Sequence, residues 1–382
     1  MPTPDASTPA PVPAPALRSF EVIFPGGEKT FCAIGPGALA QLPALCVQAG
    51  LSGPAQLVCD ARLLQLHAPA LRELTERFGA PLARPVSESR KSLAEVESIC
   101  EALAARNLGR DSFLIALGGG VLTDLAGLAA ALWLRGIPWV AAPSTLLAQV
   151  DAGLGGKTGA NLRTGKNLVG AFHQPRLVVC DTGLLATLPS RELWSGLAEV
   201  VKCALLAPAE DAAGVTLLAR CERDLELAAD GDPTTLAALV EACLRIKGRI
   251  AAADEREGSG RAFLNLGHTV GHALEAGTGY LRFTHGEAVA LGLRAALHLS
   301  RARGLLAPAP LERALALVSR LKVSPDRRLS ESEREAALQA LARDKKARGG
   351  AVRFVLLSDL GAPRLDEVTP QECVRALDHA LA

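Results

Sequence analysis

The feature that most constrains this chain is a change of rhythm near residue 188. Before it, short apolar or β-branched runs stand at 55–59 (AQLVC), 112–117 (SFLIAL), 137–142 (IPWVAA) and 176–180 (RLVVC). Ala/Leu-rich stretches such as 62–77 and 92–106 lie between several of them. Strands covered on both faces read as unbroken apolar runs, and each return to a parallel neighbour takes a helix. The alternation therefore predicts βαβ units and a mostly parallel sheet. After residue 188, segments 190–205, 211–228, 233–254, 268–277, 286–303, 309–321 and 331–346 carry Ala, Leu, Glu and Arg at helical spacing. Ser190 offers a helix cap, with Glu192 in the first turn. One late run, 352–357 (VRFVLL), reads as a strand. The expectation is a Pro/Ala-rich disordered tail at 1–18, an α/β domain at 19–188 and an all-α domain at 189–382, with a cleft between the domains where ligands commonly bind.

Composition removes several classes. The formal net charge is +1, so nothing points to nucleic acid or an anionic membrane. The N-terminus has no basic segment followed by a continuous apolar one, which makes a poor signal peptide. The apolar region 113–150 is interrupted by Asp124, Arg135, glycines and prolines and does not read as a membrane span. Nine scattered cysteines without a CxxC read as reduced core thiols, and with them the expected compartment is the cytoplasm.

Two glycine clusters suggest anion contacts. In SFLIALGGGVLTD, three glycines join a strand to a helix, so backbone N–H groups and the positive helix end can approach a phosphate. This is not G-x-G-x-x-G, and a plain tight turn uses the same residues. In DAGLGGKTGANLRTGKNLVG, Lys157 and Lys166 sit on glycine-flanked backbone read as flexible, without P-loop spacing. Further cations (Lys202, Lys247, Arg261, Lys345 and Lys346) lie beside apolar or glycine-rich sequence. Together they favour an anionic substrate, lysines suiting phosphate and arginine a planar carboxylate.

The second half holds a possible metal centre. Glu199 and Lys202 share one helix face in GLAEVVK, and NLGHTVGHALE strings Asn265, His268, His272 and Glu275 along another. His285 opens the next helix in THGEAV. Three of the seven histidines thus fall between 268 and 285. Two imidazoles and a carboxylate with an open position make a common catalytic metal site, and the spacing is not H-E-x-x-H. Spacing alone leaves His268, His272 and His285 competing as ligands, and histidines bonded inside a helical core fit it too.

Taken together, GGGVLTDLAG, LRGIPWVAAPSTLLAQVDAGLGGKTG, GKNLVGAFHQP, LPSREL-x-x-GLAEVVK, RAFLNLGHTVGHALE and HGEAVALG resemble the 3-dehydroquinate synthase family of sugar-phosphate cyclases, from about residue 20 to 360. The resemblance implies a Rossmann-like N-terminal domain, a helical C-terminal domain and a homodimer. It also implies bound NAD and one zinc or cobalt ion, held by Glu199, His268 and His285. It moves His272 to a phosphate pocket, with Asn167, Asn265, Lys157 and Lys345 or Lys346 in or beside it. Arg135 matches an arginine that reaches the neighbouring subunit's phosphate. Lys202, Lys247 and Arg261 match groups holding the substrate's hydroxyls and carboxylate. The NAD positions fall on Glu88, Lys91, Gly119, Gly120, Val121, Asp124, Ser144, Thr145, Lys157, Lys166, Leu184, Leu185 and Thr187, with Asp151 near the nicotinamide. The implied reaction turns 3-deoxy-D-arabino-heptulosonate 7-phosphate into 3-dehydroquinate and phosphate in the shikimate route to aromatic amino acids. Relatives making a valiolone, a deoxy-inosose or an amino-dehydroquinate, metal-dependent polyol dehydrogenases, and a non-catalytic binding protein of the same fold are the rival readings. The chain departs from the family's commoner residues at Cys203 and Ser144, and at Gly258-Ser259-Gly260, which looks long before Arg261.

Overall fold

The computed structural model describes residues 16–206, 215–256, 260–324, 326–347 and 352–382, with backbone alone over 343–347. Its N-terminal half is built on a seven-stranded sheet of order β1-β2-β9-β6-β5-β3-β4. The strands are β1 (Arg18–Ile23), β2 (Lys29–Ile34), β3 (Ala55–Asp60), β4 (Leu82–Arg84), β5 (Phe113–Gly118), β6 (Trp139–Pro143) and β9 (Leu177–Cys180). Every neighbouring pair is parallel except β1 with β2. Strand β5 is buried at all of its positions, as an unbroken apolar run requires. Its alternate residues feed two cores. Phe113, Ile115 and Leu117 pack with Leu42, Leu71 and Leu74, whereas Leu114 and Ala116 share a core with Leu197, Val201 and Val289 of the helical half. The sheet and the helices thus meet across a continuous apolar seam.

From β3 the chain moves outward to β4, whereas from β5 it moves the opposite way to β6. The connections diverge at the carboxyl ends of β3 and β5 and leave a crevice there, the usual ligand position in an open parallel sheet. Gly118, Gly119 and Gly120 end β5 at this place and open the helix Gly120–Leu132.

The helical half is mostly, not entirely, α. Helices Ser190–Leu206, Leu217–Ala229, Pro233–Ala253, His268–Gly277, His285–Ala302, Pro308–Ser319 and Glu331–Ala347 follow the periodic segments, except that the one read from 211 begins at Leu217, with 211–214 outside the described residues. The late strand run becomes β10 (Val352–Asp359), which forms an antiparallel hairpin with β11 (Ala362–Val368), so the expectation of an all-α domain is corrected. A last helix, Pro370–Leu381, was not anticipated, although Thr369 and Glu372 form a capping box at its start.

Other differences have local causes. The stretch 62–77 splits into Ala61–Leu66 and Ala68–Phe78, because Pro69 lacks the N–H that a continuous helix would donate to Gln65. The glycine-rich stretch after Gly156 is not loose backbone. It forms an antiparallel hairpin of β7 (Lys157–Leu162) and β8 (Gly165–Phe172). Strand β1 begins at Arg18, inside the stretch assigned to the tail, and residues 1–15 of that tail lie outside the described residues. All nine cysteines are free, and all but Cys100 are buried. No described helix is long and apolar enough to cross a membrane.

Arg303, just past the end of His285–Ala302, clamps the last helix. Its Nε and Nη2 donate to Glu372 at 2.8 and 2.7 Å, and Nη1 lies 3.3 Å from Asp366. The hydrogen bonds from Arg303 lower the Glu372 carboxyl from an ordinary 4.5 to about 2. A depressed carboxyl contributes stability above its unfolded pKa and loses it as pH falls through the folded one. Arg303→Gln should therefore lower thermal stability at pH 7, by up to about 1 kcal/mol. The gap from wild type should close as pH falls from 4.5 to about 2. Thermal melts across that range check this, and a pH-independent gap would contradict it.

Candidate active site

Four elements converge where the sheet crevice meets the helical half. Helix Ser190–Leu206 carries Glu199 and Lys202, and helix Pro233–Ala253 carries Lys247. Helices His268–Gly277 and His285–Ala302 begin on His268 and His285. Glycines let these backbones approach. Gly286 packs on the Ser195 backbone, and Gly292 packs on the Gly267 carbonyl. The Gly286 N–H also donates to Ser195 Oγ at 2.9 Å.

Glu199 is fully buried; its Oε2 is paired with the Lys202 ammonium, and its Oε1 faces the two histidines. Its charged neighbour is Lys202, itself buried one turn along the same helix. The Nε2 atoms of His268 and His285 lie 3.6 and 3.4 Å from Glu199 Oε1. Each ring turns its other nitrogen away from Glu199. Nδ1 of His268 lies 3.2 Å from the Leu266 carbonyl, and Nδ1 of His285 lies 3.4 Å from Glu275 Oε1. A buried carboxylate oxygen facing two inward Nε2 atoms is the donor set of a divalent cation site with open positions. One ligand atom from each of Glu199, His268 and His285 fits within 4.8 Å. His272, Glu275 and His285 form a second such group.

The buried charges act on one another. Burial works to raise the Glu199 carboxyl, but Lys202 and His268 outweigh it and hold it well below the usual carboxylate range. Burial and Lys202 push His268 down to about 3, which keeps its ring neutral, as ligation requires. Burial would also lower His285, but the adjoining carboxylates of Glu199 and Glu275 outweigh it and lift the ring to about 10.

Beside this group lies a cavity of about 510 Å³. Asp124, Asp151, Lys157, Asn167, Lys202, Lys247, Arg261, Asn265 and His268 line it. Asp151 sits in a π-turn, Ala148–Ala152, and pairs with Lys247 at 2.6 Å. Burial opposes ionisation of Asp151, but Lys247 and Lys202 hold its carboxyl far below its ordinary value. Burial in turn lowers Lys247, against the pull of Asp151. Arg261 is 1% exposed and donates to the carbonyls of Gly155 and Glu255 at 2.7 and 2.8 Å. Those bonds hold the guanidinium in place, and the Gly258-Ser259 insertion before it lies outside the described residues.

The predicted residues do not all meet there. Lys91 donates to Asp124 and Asn167 at 2.5 and 2.6 Å and so ties two of the lining residues together. Gly119 and Thr145 abut, since a Cβ on Gly119 would come within 3.2 Å of Thr145 Cγ2. Val121 follows Gly120 in the same helix, and Ser144 donates its N–H to Gly118 at 2.9 Å. Leu184 and Leu185 lie in the 3-10 turn Thr182–Thr187, whose Thr187 bonds His67 at 2.7 Å. Glu88 accepts from Asn161 at 2.7 Å. Lys166 stacks over the Tyr280 ring at 3.8 Å and does not line the cavity. His272 flanks the metal group, its ring 5.2 Å from His268. Arg135 is exposed, away from the lining residues. The side chains of Lys345 and Lys346 lie outside the described residues.

Sequence reasoning missed two neighbours of the site. Phe172 lines the cavity near Arg261, 5.8 Å from ring centroid to guanidinium, and strand alternation in GKNLVGAF was the available signal. Glu275 stood in the polar stripe but was given no task.

Comparison with known proteins gives this geometry a family. The family model described as 3-dehydroquinate synthase N-terminal matches residues 82–195, and its C-terminal counterpart matches 196–347. The 3-dehydroquinate synthase of Citrifermentans bemidjiense is 42% identical, over 88% of this chain and 91% of its own. Among solved structures, the 2-epi-5-epi-valiolone synthase of Streptomyces hygroscopicus subsp. jinggangensis, with NAD+ and Zn2+ bound, superposes with TM-score 0.78 at 30% identity. The match covers 91% of this chain and 96% of that one. A 2-deoxy-scyllo-inosose synthase complexed with carbaglucose-6-phosphate, NAD+ and Co2+ superposes with TM-score 0.83 at 26% identity, covering 94% and 99%. Both halves of the fold and the sequence around the buried carboxylate and histidines agree: the chain belongs to the 3-dehydroquinate synthase family.

Proposed function

We propose that this chain converts 3-deoxy-D-arabino-heptulosonate 7-phosphate to 3-dehydroquinate and phosphate, using NAD and one divalent metal. The observation that carries the reading is the buried Glu199 carboxylate facing two imidazoles beside a cavity lined by three lysines and an arginine. NAD supplies a hydride acceptor that is restored each turnover, and the metal supplies a Lewis acid for the substrate's hydroxyl oxygens.

The chain's own residues prepare both. Glu199, His268 and His285 offer the metal one oxygen and two nitrogens. The Gly119–Gly120 turn at the switch point exposes helix N–H groups to a pyrophosphate, with no acidic residue in the first turn to repel it. Asp151 and Lys247, held as an ion pair at the cavity wall, would orient the nicotinamide ring and the substrate's hydroxyls, whose carbinol carbon gives up the hydride. Lys157, Asn167 and Asn265 line the same cavity and suit the phosphate that leaves, with His272 beside the metal group. Arg261, fixed by two backbone carbonyls, lines the cavity and suits the substrate's planar carboxylate.

The reading includes a homodimer. Arg135 is supported as a group acting on a second copy by its placement. Leu134, Arg135 and Gly136 all have positive φ (50°, 71° and 121°), a turn that leaves the arginine exposed at the surface. A cytoplasmic setting accords with nine free thiols.

The test is phosphate release from the heptulosonate phosphate by purified protein with NAD and Zn2+ or Co2+. The expected result is one phosphate and one dehydroquinate per substrate, with no net NADH. Turnover of sedoheptulose 7-phosphate instead, or net NADH from glycerol, would overturn the reading.

A further inference from the structure

We propose that Glu275 is a positioning residue for the metal centre, holding the Nδ1–H of His285 so that Nε2 faces Glu199. The inference rests on the metal reading above and adds a residue to it. Helix His268–Gly277 places Glu275 seven residues after His268, two turns along the same face. Its carboxylate is 8% exposed and reaches across to the first residue of the next helix, with Oε1 3.4 Å from His285 Nδ1.

The tautomer argument is direct. An imidazole that ligates through Nε2 carries its proton on Nδ1 and needs an acceptor there. A carboxylate acceptor fixes the ring and makes the ligating nitrogen more basic. His268 is served in the same sense by a backbone carbonyl, that of Leu266. His285 is more exposed than His268 (27% against 9% for the side chains) and opens its helix, so its ring has more freedom to lose. A side-chain acceptor supplies the restraint there. The same contact argues against a separate ion among His272, Glu275 and His285, because a protonated Nδ1 has no lone pair for it.

The experiment measures Zn2+ affinity of the full chain by chelator competition, with the visible spectrum of the Co2+-loaded protein. Glu275→Ala should weaken Zn2+ binding by about 10–100-fold and alter the Co2+ spectrum. Activity should return at excess metal. Glu275→Gln, whose amide oxygen still accepts from Nδ1–H, should stay within about fivefold of wild type. If Glu275→Ala stays within twofold with an unchanged spectrum while Glu199→Gln abolishes binding, the positioning role falls and the metal reading stands. If Glu199→Gln leaves metal binding intact, both fall. Two ions per chain, one of them lost in Glu275→Ala, would make Glu275 a ligand and overturn the proposal. Should Glu275→Ala fail to fold, histidine-labelled wild type decides. NMR should show the His285 proton on Nδ1 in the zinc-loaded protein, and an unprotonated Nδ1 would overturn it.

Discussion

Glu199→Gln should bind no stoichiometric metal and release phosphate about a thousandfold more slowly than wild type, the scale of losing a Lewis acid worth several kcal/mol. The substitution removes one charge and almost no volume, so packing of helix Ser190–Leu206 is preserved. What changes is the charge balance of a buried pair. Lys202 is 2% exposed and pairs with Glu199, and burial works to neutralise it. Without the carboxylate, a buried ammonium keeps only the more distant help of Asp151. Removing one partner of a buried ion pair destabilises by about 3–5 kcal/mol, so the variant should also melt earlier. The two effects separate in the double variant Glu199→Gln/Lys202→Met. That protein should regain stability while metal binding and turnover stay lost. Metal content by atomic spectroscopy and thermal melts check both parts. A single variant that keeps one ion per chain would remove Glu199 from the ligand set.

Much of this site was legible in sequence, because helices announce themselves by period and caps. The segments 268–277 and 286–303 emerged within a residue or so of their observed bounds, and those bounds put His268 and His285 at helix starts. The choice among three histidines was not legible from spacing. Nε2 of His268 and His285 points at Glu199, and that convergence belongs to packing between helices far apart in sequence. Short elements were also hidden. Strands β7 and β8 look like glycine-rich loop because their glycines face one another across the hairpin, where side chains have no room. Lys166 leans on Tyr280 from the helical half and lies 3.8 Å from Glu88, contacts across the chain that no local pattern shows. The Glu275 contact was invisible for the same reason: its partner belongs to the next helix.

The second large effect is expected at a residue with no functional group. Gly286→Ala should weaken metal binding by at least about a hundredfold and destabilise the fold by about 1–3 kcal/mol. A Cβ built on Gly286 overlaps the carbonyl oxygen and Cα of Ser195 and lies 2.6 Å from its carbonyl carbon. These are backbone atoms inside a helix, so no rotamer change relieves the clash and the two helices must separate. His285 is the preceding residue, and Ser195 lies one turn before Glu199. Any separation therefore lengthens the Glu199–His285 distance, whereas metal ligands tolerate displacements of only a few tenths of an ångström. Gly292→Ala, which drives a Cβ into the Gly267 carbonyl, should have the same effect through His268. Gly26→Ala, where a Cβ meets nothing within 4 Å, is the control and should leave metal affinity unchanged. If Gly286→Ala holds Zn2+ as tightly as wild type, close backbone approach is not what brings the carboxylate and the imidazole together.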